Sequence, residues 1–220
     1  MARLNDSKIK KRVVLPATEV PVCCETDVLV VGGGEAGHSA AVAAARNGAR
    51  TVLIERYGHL GGKSTGGLIT VIHSMSDGTH HRVIAGQCQE WLDRLAHYGG
   101  VDAPAPEEVG TSREDVLERF QGVFFRREGR LIYGARVDAE ILKCVLNDMV
   151  REAGVQLYLH ALATDVIMEG DEVQGVIFDS KEGRQAILAK TVIDATGDGE
   201  IIAKCGCSCE DSYDTGSRLA

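Results

Sequence analysis

Asp27-Val28-Leu29-Val30-Val31-Gly32-Gly33-Gly34-Glu35-Ala36-Gly37 decides the fold of this chain. Its first five residues are short, β-branched and apolar on both faces, the pattern of a strand buried in a parallel sheet, and three consecutive glycines end it. From Ala36 to Asn47 the sequence is rich in Ala and free of Pro, so it reads as a helix, with Gly48 as its stop. Thr51-Val52-Leu53-Ile54-Glu55 is then a second buried strand, which makes a right-handed βαβ unit. Gly32-x-Gly34-x-x-Gly37 therefore stands between strand and helix, where a dinucleotide pyrophosphate binds. Gly32 allows the tight turn, Gly34 lets the phosphates approach the backbone, and Gly37 lets helix and strand pack closely. Glu35 and Ala36 open the helix whose N-terminus favours negative charge. Glu55 lies 18 positions beyond Gly37, at the end of the second strand, where an acid can accept hydrogen bonds from a ribose.

Working outward, the whole chain has 220 residues, 44% of them hydrophobic, with 24 Lys and Arg against 32 Asp and Glu. That is enough to build a sizeable core, and it excludes general disorder. A net charge of −8 leaves no global basic field for a nucleic-acid backbone, so no nucleic-acid partner is expected. Arg3, Lys8, Lys10, Lys11 and Arg12 make a basic start, read as a solvated arm. No apolar run follows it and none approaches the roughly 18 residues of a membrane span, so no membrane partner is expected and a cytoplasmic location is. The seven cysteines are then expected as reduced thiols.

Residues 1–26 read as an arm over the surface, and 27–67 as the βαβ unit with a second glycine-rich loop. Residues 68–137 read as an excursion with a helix within Val83–Tyr98, a short helix around Arg113–Phe120 and a hairpin at Glu128-Gly129. In 138–204 the core resumes. Asp138 to Ala153 puts Ile141, Leu142, Val145, Leu146, Met149 and Val150 on one helical face, and Val155 to Leu159 is a third core strand. Leu162–Glu169, Val173–Ser180 and Gln185–Ala189 read as a three-stranded antiparallel meander, and Thr191–Asp194 as a last buried strand. Residues 205–220 form a Cys-containing polar tail. The expected fold is α/β: a Rossmann-like domain with a central parallel sheet plus the meander.

Up to Glu55 the residues suit NAD and FAD equally. Glu55-Arg56-Tyr57-Gly58-His59-Leu60-Gly61-Gly62-Lys63-Ser64-Thr65-Gly66-Gly67 then places a flexible, donor-rich loop just beyond the ribose-binding strand. A nicotinamide domain has no evident need for such a loop, whereas a flavin needs close backbone contact and donors along its length. With Asp27 to Gly37, Glu55-Arg56, Leu60-Gly61-Gly62, Ser64-Thr65-Gly66, the block Asp138 to His160, and Ile193-Asp194-Ala195-Thr196-Gly197-Asp198-Gly199, the sequence resembles the FAD-dependent oxidoreductases related to succinate dehydrogenase and fumarate reductase flavoproteins and to the glutathione-reductase-type FAD domain. The resemblance implies FAD as cofactor. It places Gly32, Gly34 and Gly37 at the pyrophosphate, Glu55 at the adenosine ribose, Arg56 on the adenine side, and Gly61, Gly62, Ser64, Thr65 and Gly66 toward the ribityl chain and ring. Ala161 would hold the adenine edge by its backbone, and Ala195, Thr196, Gly197 and Asp198 would pass beside the cofactor.

Flavoproteins of this kind continue past the Ala-Thr-Gly turn into a substrate domain, and the 21 residues after Gly199 are too few to build one. The expectation is an FAD-binding subunit that passes a hydride from a small organic substrate to FAD, its substrate side completed by a second protein subunit. The alternative is a catalytically incomplete FAD-holding or assembly module. No catalytic residue is assigned: His59, His73, His80 and His81 read as surface or supporting histidines, and Tyr133 and Arg136 as hairpin residues. Cys205-x-Cys207-x-Cys209 lacks the C-x-x-C spacing of zinc sites, so no metal is expected, and adjacent Cys23-Cys24 are unsuited to a disulfide.

Overall fold

A computed structural model describes residues 13–79, 81–121 and 125–208. In chain order its elements are β1 (Val22–Val31), α1 (Glu35–Arg46), β2 (Thr51–Ile54), β3 (Val71–Ile72), α2 (Gln87–His97), β4 (Val101–Asp102), α3 (Glu114–Arg119), β5 (Arg126–Arg127), β6 (Arg130–Leu131) and β7 (Ala135–Val137). There follow α4 (Ala139–Glu152), β8 (Gln156–Tyr158), β9 (Leu162–Glu169), β10 (Glu172–Ser180), β11 (Gly183–Asp194) and α5 (Glu200–Lys204). The chain divides into two compact units, Met1–Gly58 with Val155–Ala220, and His59–Gly154.

The first unit carries a six-stranded sheet in the order β8-β2-β1-β11-β10-β9. β8, β2, β1 and β11 are parallel, and β11, β10 and β9 form the antiparallel meander. Val28–Val31 lie opposite Thr51–Ile54 on one side and Thr191–Asp194 on the other, so the two strands that flank the glycine turn end level with it. β8 and β10 are four strands apart in this order, about 19 Å in a flat sheet. Yet the Tyr158 and Phe178 rings are 5.8 Å apart, centroid to centroid. The sheet is therefore rolled over on itself. Leu29, Val31, Val52 and Ile54 of the parallel strands meet Val176, Phe178, Ile187 and Ala189 of the meander in one buried cluster, which Ile201 of α5 joins.

Two boundaries differ from the sequence reading. β1 begins at Val22 rather than Asp27, because Val22–Thr26 pairs with Ala186–Ala189 and Ala186 N–H donates to the Pro21 carbonyl at 2.9 Å. The last meander strand and the returning buried strand are a single β11, since nothing in Ala189-Lys190-Thr191 breaks a strand. Lys190, which interrupts the apolar pattern, points to solvent and pairs with Asp27 at 2.8 Å.

In the second unit α4 starts where the Asp138 carboxylate accepts the Glu140 and Ile141 N–H groups, both at 2.9 Å, a side-chain N-cap. α2 packs against α4, and Arg94 ties the pair by bonding Glu90 at 2.9 Å and Glu152 at 2.7 Å. β3, β7 and β4 form a small antiparallel sheet. β5 and β6 form the expected hairpin, with Glu128 and Gly129 both at positive φ, as a two-residue turn requires. Among the described residues no helix is long and apolar enough to cross a membrane.

Candidate cofactor site

The three glycines of the fingerprint do different work. Gly32 has φ +100, and a Cβ there would lie 2.4 Å from the Ala195 carbonyl oxygen. A Cβ on Gly37 would lie 1.8 Å from the Gly32 carbonyl oxygen and 3.0 Å from the Ala195 side chain. Both are demanded by the packing of turn, helix and β11. Gly34 is different: at φ −65 and ψ −174 it holds extended backbone that any residue adopts. It caps α1 with no side chain, and the His38 N–H reaches back to its carbonyl at 2.9 Å. The preceding N–H groups of a helix have no intrahelical acceptor, so this 12-residue helix presents an end suited to a phosphate. Glu35 and Ala36 lie at that end, half-buried and exposed respectively.

Glu55, 7% exposed, turns its carboxylate back onto the glycine turn. Its Oε2 accepts the Gly33 N–H at 2.6 Å and its Oε1 accepts the Tyr57 N–H at 2.7 Å. Its backbone continues the parallel ladder, donating to the Tyr158 carbonyl and accepting from Ala161 N–H, each at 2.9 Å. Each carboxylate oxygen keeps a further lone pair, so Glu55 can hold the turn and accept from a ribose hydroxyl together. Ala161 is buried, and its N–H donates to the Glu55 carbonyl at 2.9 Å. Arg56 is exposed, with its guanidinium 4.9 Å from the Tyr57 ring centroid.

The far side of the turn is set by Asp194. Its Oδ1 accepts from Thr196 N–H at 3.0 Å and from Thr196 Oγ1 at 2.7 Å, and its Oδ2 accepts from the N–H groups of Ile201 and Ile202. Burial pushes this carboxyl up, but the hydrogen bonds from Ile202, Thr196 and Ile201 outweigh it and hold the group below its ordinary range. Thr196 Oγ1 in turn accepts the Glu200 N–H at 2.9 Å. Thr196 is thus engaged in holding its own loop, Ala195 N–H is bound to the Val31 carbonyl, and Gly197 and Asp198 are exposed.

The second glycine loop, within the other unit, is packed on itself. Gly61 has φ +99, and a Cβ there would meet the Thr65 side chain at 2.4 Å. Gly62 and Ser64 lie in one 3-10 turn. Thr65 is fully buried, with its hydroxyl donating to the Leu60 carbonyl at 2.6 Å. A Cβ on Gly66 would meet the His59 imidazole at 2.6 Å. Thr65 therefore shapes the loop, while Gly66, exposed, lies at its surface.

Tyr133 is buried under Arg82, 4.2 Å from guanidinium to ring, and Arg136 bonds Asp102 at 2.8 Å, so both have structural partners. His73 and His81 are exposed. His80, Cys209 and the basic start at Arg3–Arg12 lie outside the described residues. Cys205 is half-buried and Cys207 exposed, and among the described residues no group of three His, Cys, Asp or Glu could hold a metal. Sequence reasoning did not single out two residues: Gly33, whose N–H anchors Glu55, and Asp194, whose spacing to Thr196 is the Asp-x-Thr of a side-chain-capped turn.

An uncapped helix N-terminus, a glycine not required by its backbone, and a carboxylate at the end of β2 together suit the adenosine and pyrophosphate of a dinucleotide. The family model of FAD dependent oxidoreductases matches residues 27–217. The chain is 29% identical to digeranylgeranylglycerophospholipid reductase 1 of Methanopyrus kandleri over 79% of its own length and 40% of that protein's. It is 28% identical to the probable fumarate reductase Ifc3 of Shewanella frigidimarina over 88% of its length and 35% of that protein's. Among solved structures, the THI4 protein of Thermovibrio ammonificans shares the fold, with a TM-score of 0.53 at 21% identity, covering 88% of this chain and 64% of that one. The chain thus spans about two fifths or less of the curated relatives named here. On the match to residues 27–217, this chain belongs to the FAD dependent oxidoreductase family, with FAD as its cofactor.

Proposed function

We propose that the chain is the FAD-holding part of an oxidoreductase acting on a small organic substrate. The observation that carries this reading is the N-terminus of α1, which Gly34 opens with no side-chain cap at a backbone conformation that any residue adopts. Bound FAD would supply the redox chemistry by accepting a hydride from the substrate. The chain's own residues would bind and orient it: the N–H groups around Gly34, Glu35 and Ala36 at the pyrophosphate, Glu55 at the ribose, Arg56 and the Ala161 carbonyl at the adenine side. Gly197 and Asp198 would flank the cofactor.

The substrate side would be supplied by protein outside these 220 residues, in a partner subunit. Reduction of a dye acceptor by the purified chain, alone and with co-purifying protein, tests the division. Activity only in the complex fits the proposal; full turnover by the chain alone contradicts the partner's role, and none from either preparation leaves an FAD-holding module.

A further inference from the structure

Cys23 and Cys24 stand where the pairing of β1 with β11 slips: Val22 lies opposite Ala186 and Cys24 opposite Ile187, so Cys23 is the extra residue of a β-bulge. A bulge breaks the alternation that would send adjacent side chains to opposite faces. The consequence is a cluster of three polar groups. Cys24 and Tyr158 pack on one buried cluster, and Cys23, Cys24 and Tyr158 lie close enough together for their charges to act on one another. Tyr158 is brought there by the rolling of the sheet, which also packs it and Cys24 on the same buried cluster. Its hydroxyl accepts from Gln156 Nε2 at 2.7 Å. Cys23 is exposed and Cys24 half-buried, which leaves the pair open on one side.

From this geometry we propose that Cys23 and Cys24, backed by Tyr158, form a dithiol site that takes a soft, thiophilic ligand across both sulfurs, of the class of trivalent arsenic or cuprous ion. Soft ligands are selected by sulfur. A direct disulfide is disfavoured, because Cα atoms of adjacent residues are about 3.8 Å apart, short of the ~4.4 Å at which disulfides begin. A bridging atom of larger radius removes that constraint. Burial pushes the Cys24 thiol up, which slows that sulfur toward reagents that need a thiolate. A reagent bound by two sulfurs gains from their proximity.

Phenylarsine oxide is the probe. Two S–As bonds form and the As=O bond breaks; the two thiol protons leave with the oxygen as water, and arsenic stays trivalent. The FAD-loaded chain is expected to gain one phenylarsenic group by mass and to lose iodoacetamide labelling at Cys23 and Cys24. Cys23→Ser and Cys24→Ser should each weaken capture at least tenfold, with the flavin spectrum unchanged as a check on folding, whereas Cys205→Ser should not. Capture that survives both serine variants, or protection mapped to Cys205 and Cys207 instead, would overturn the proposal. So would wild-type protein that takes up no arsenical. Because the labelling map is made on the wild type, it decides the matter even if a variant fails to fold.

Discussion

Glu55 Oε2 accepts the Gly33 N–H at 2.6 Å, joining the end of β2 to the middle of the glycine turn across 22 residues of sequence. The acid assigned to the ribose is therefore also the support of the phosphate turn. Glu55→Ala should remove the carboxylate from the buried Gly33 N–H and from the Tyr57 N–H and cost roughly 1.5–3 kcal/mol. Part of that loss should appear in denaturant melts of FAD-free protein, and part in a weaker FAD dissociation constant. An unchanged dissociation constant in a folded variant would remove Glu55 from the ribose.

The glycines should separate experimentally. Gly34→Val puts a side chain at a backbone conformation it accepts, so the protein should fold and lose FAD. Gly32→Ala and Gly37→Ala place a Cβ against backbone and should destabilise the fold itself by about 3 kcal/mol or more. Thermal melts of the cofactor-free variants check this: a Gly34→Val protein as unstable as Gly37→Ala would contradict the distinction.

Asp194 makes stability depend on pH in a stated direction. Its folded-state affinity for protons is lowered, so its contribution is fully present above the ordinary Asp range near 3.8 and is lost as pH falls through the lower folded value. Asp194→Asn should be less stable than wild type at pH 7, and the gap should narrow as the pH falls below about 4. A gap constant down to pH 2 would show that the charge of Asp194 does not matter.

For the second loop the prediction concerns shape. Thr65→Val keeps the volume and deletes the hydroxyl that donates to Leu60, and should cost ~1–2 kcal/mol even without FAD. If only the FAD-bound protein loses stability, Thr65 faces the cofactor after all.

The sequence was legible where one local rule acts alone. The strand, three glycines and Ala-rich helix specify the βαβ unit, Asp138 caps α4, and Glu128-Gly129 makes a two-residue turn. It was less legible where distant residues decide. Val22–Thr26 looks like a surface arm until β11 pairs with it, and Lys190 looks like a break until Asp27 is seen beside it. The same holds for the site: the fingerprint names Gly32, Gly34 and Gly37 as equals, but the folded turn shows that two of them are fixed by packing, Gly32 against the Ala195 carbonyl and Gly37 against the Gly32 carbonyl. Thr65 reads as a donor from its type, and its bond to Leu60 is visible only once the loop closes.

The most direct test of the central claim, that FAD is held at the α1 N-terminus behind Gly34, is the visible absorption spectrum of the purified chain and its Gly34→Val variant, with the released cofactor identified by mass. Flavin bands and released FAD from the wild type, and a folded, colourless Gly34→Val protein, are the predicted result. A wild-type chain that stays colourless after reconstitution with FAD, or a folded variant that retains it, would contradict the account.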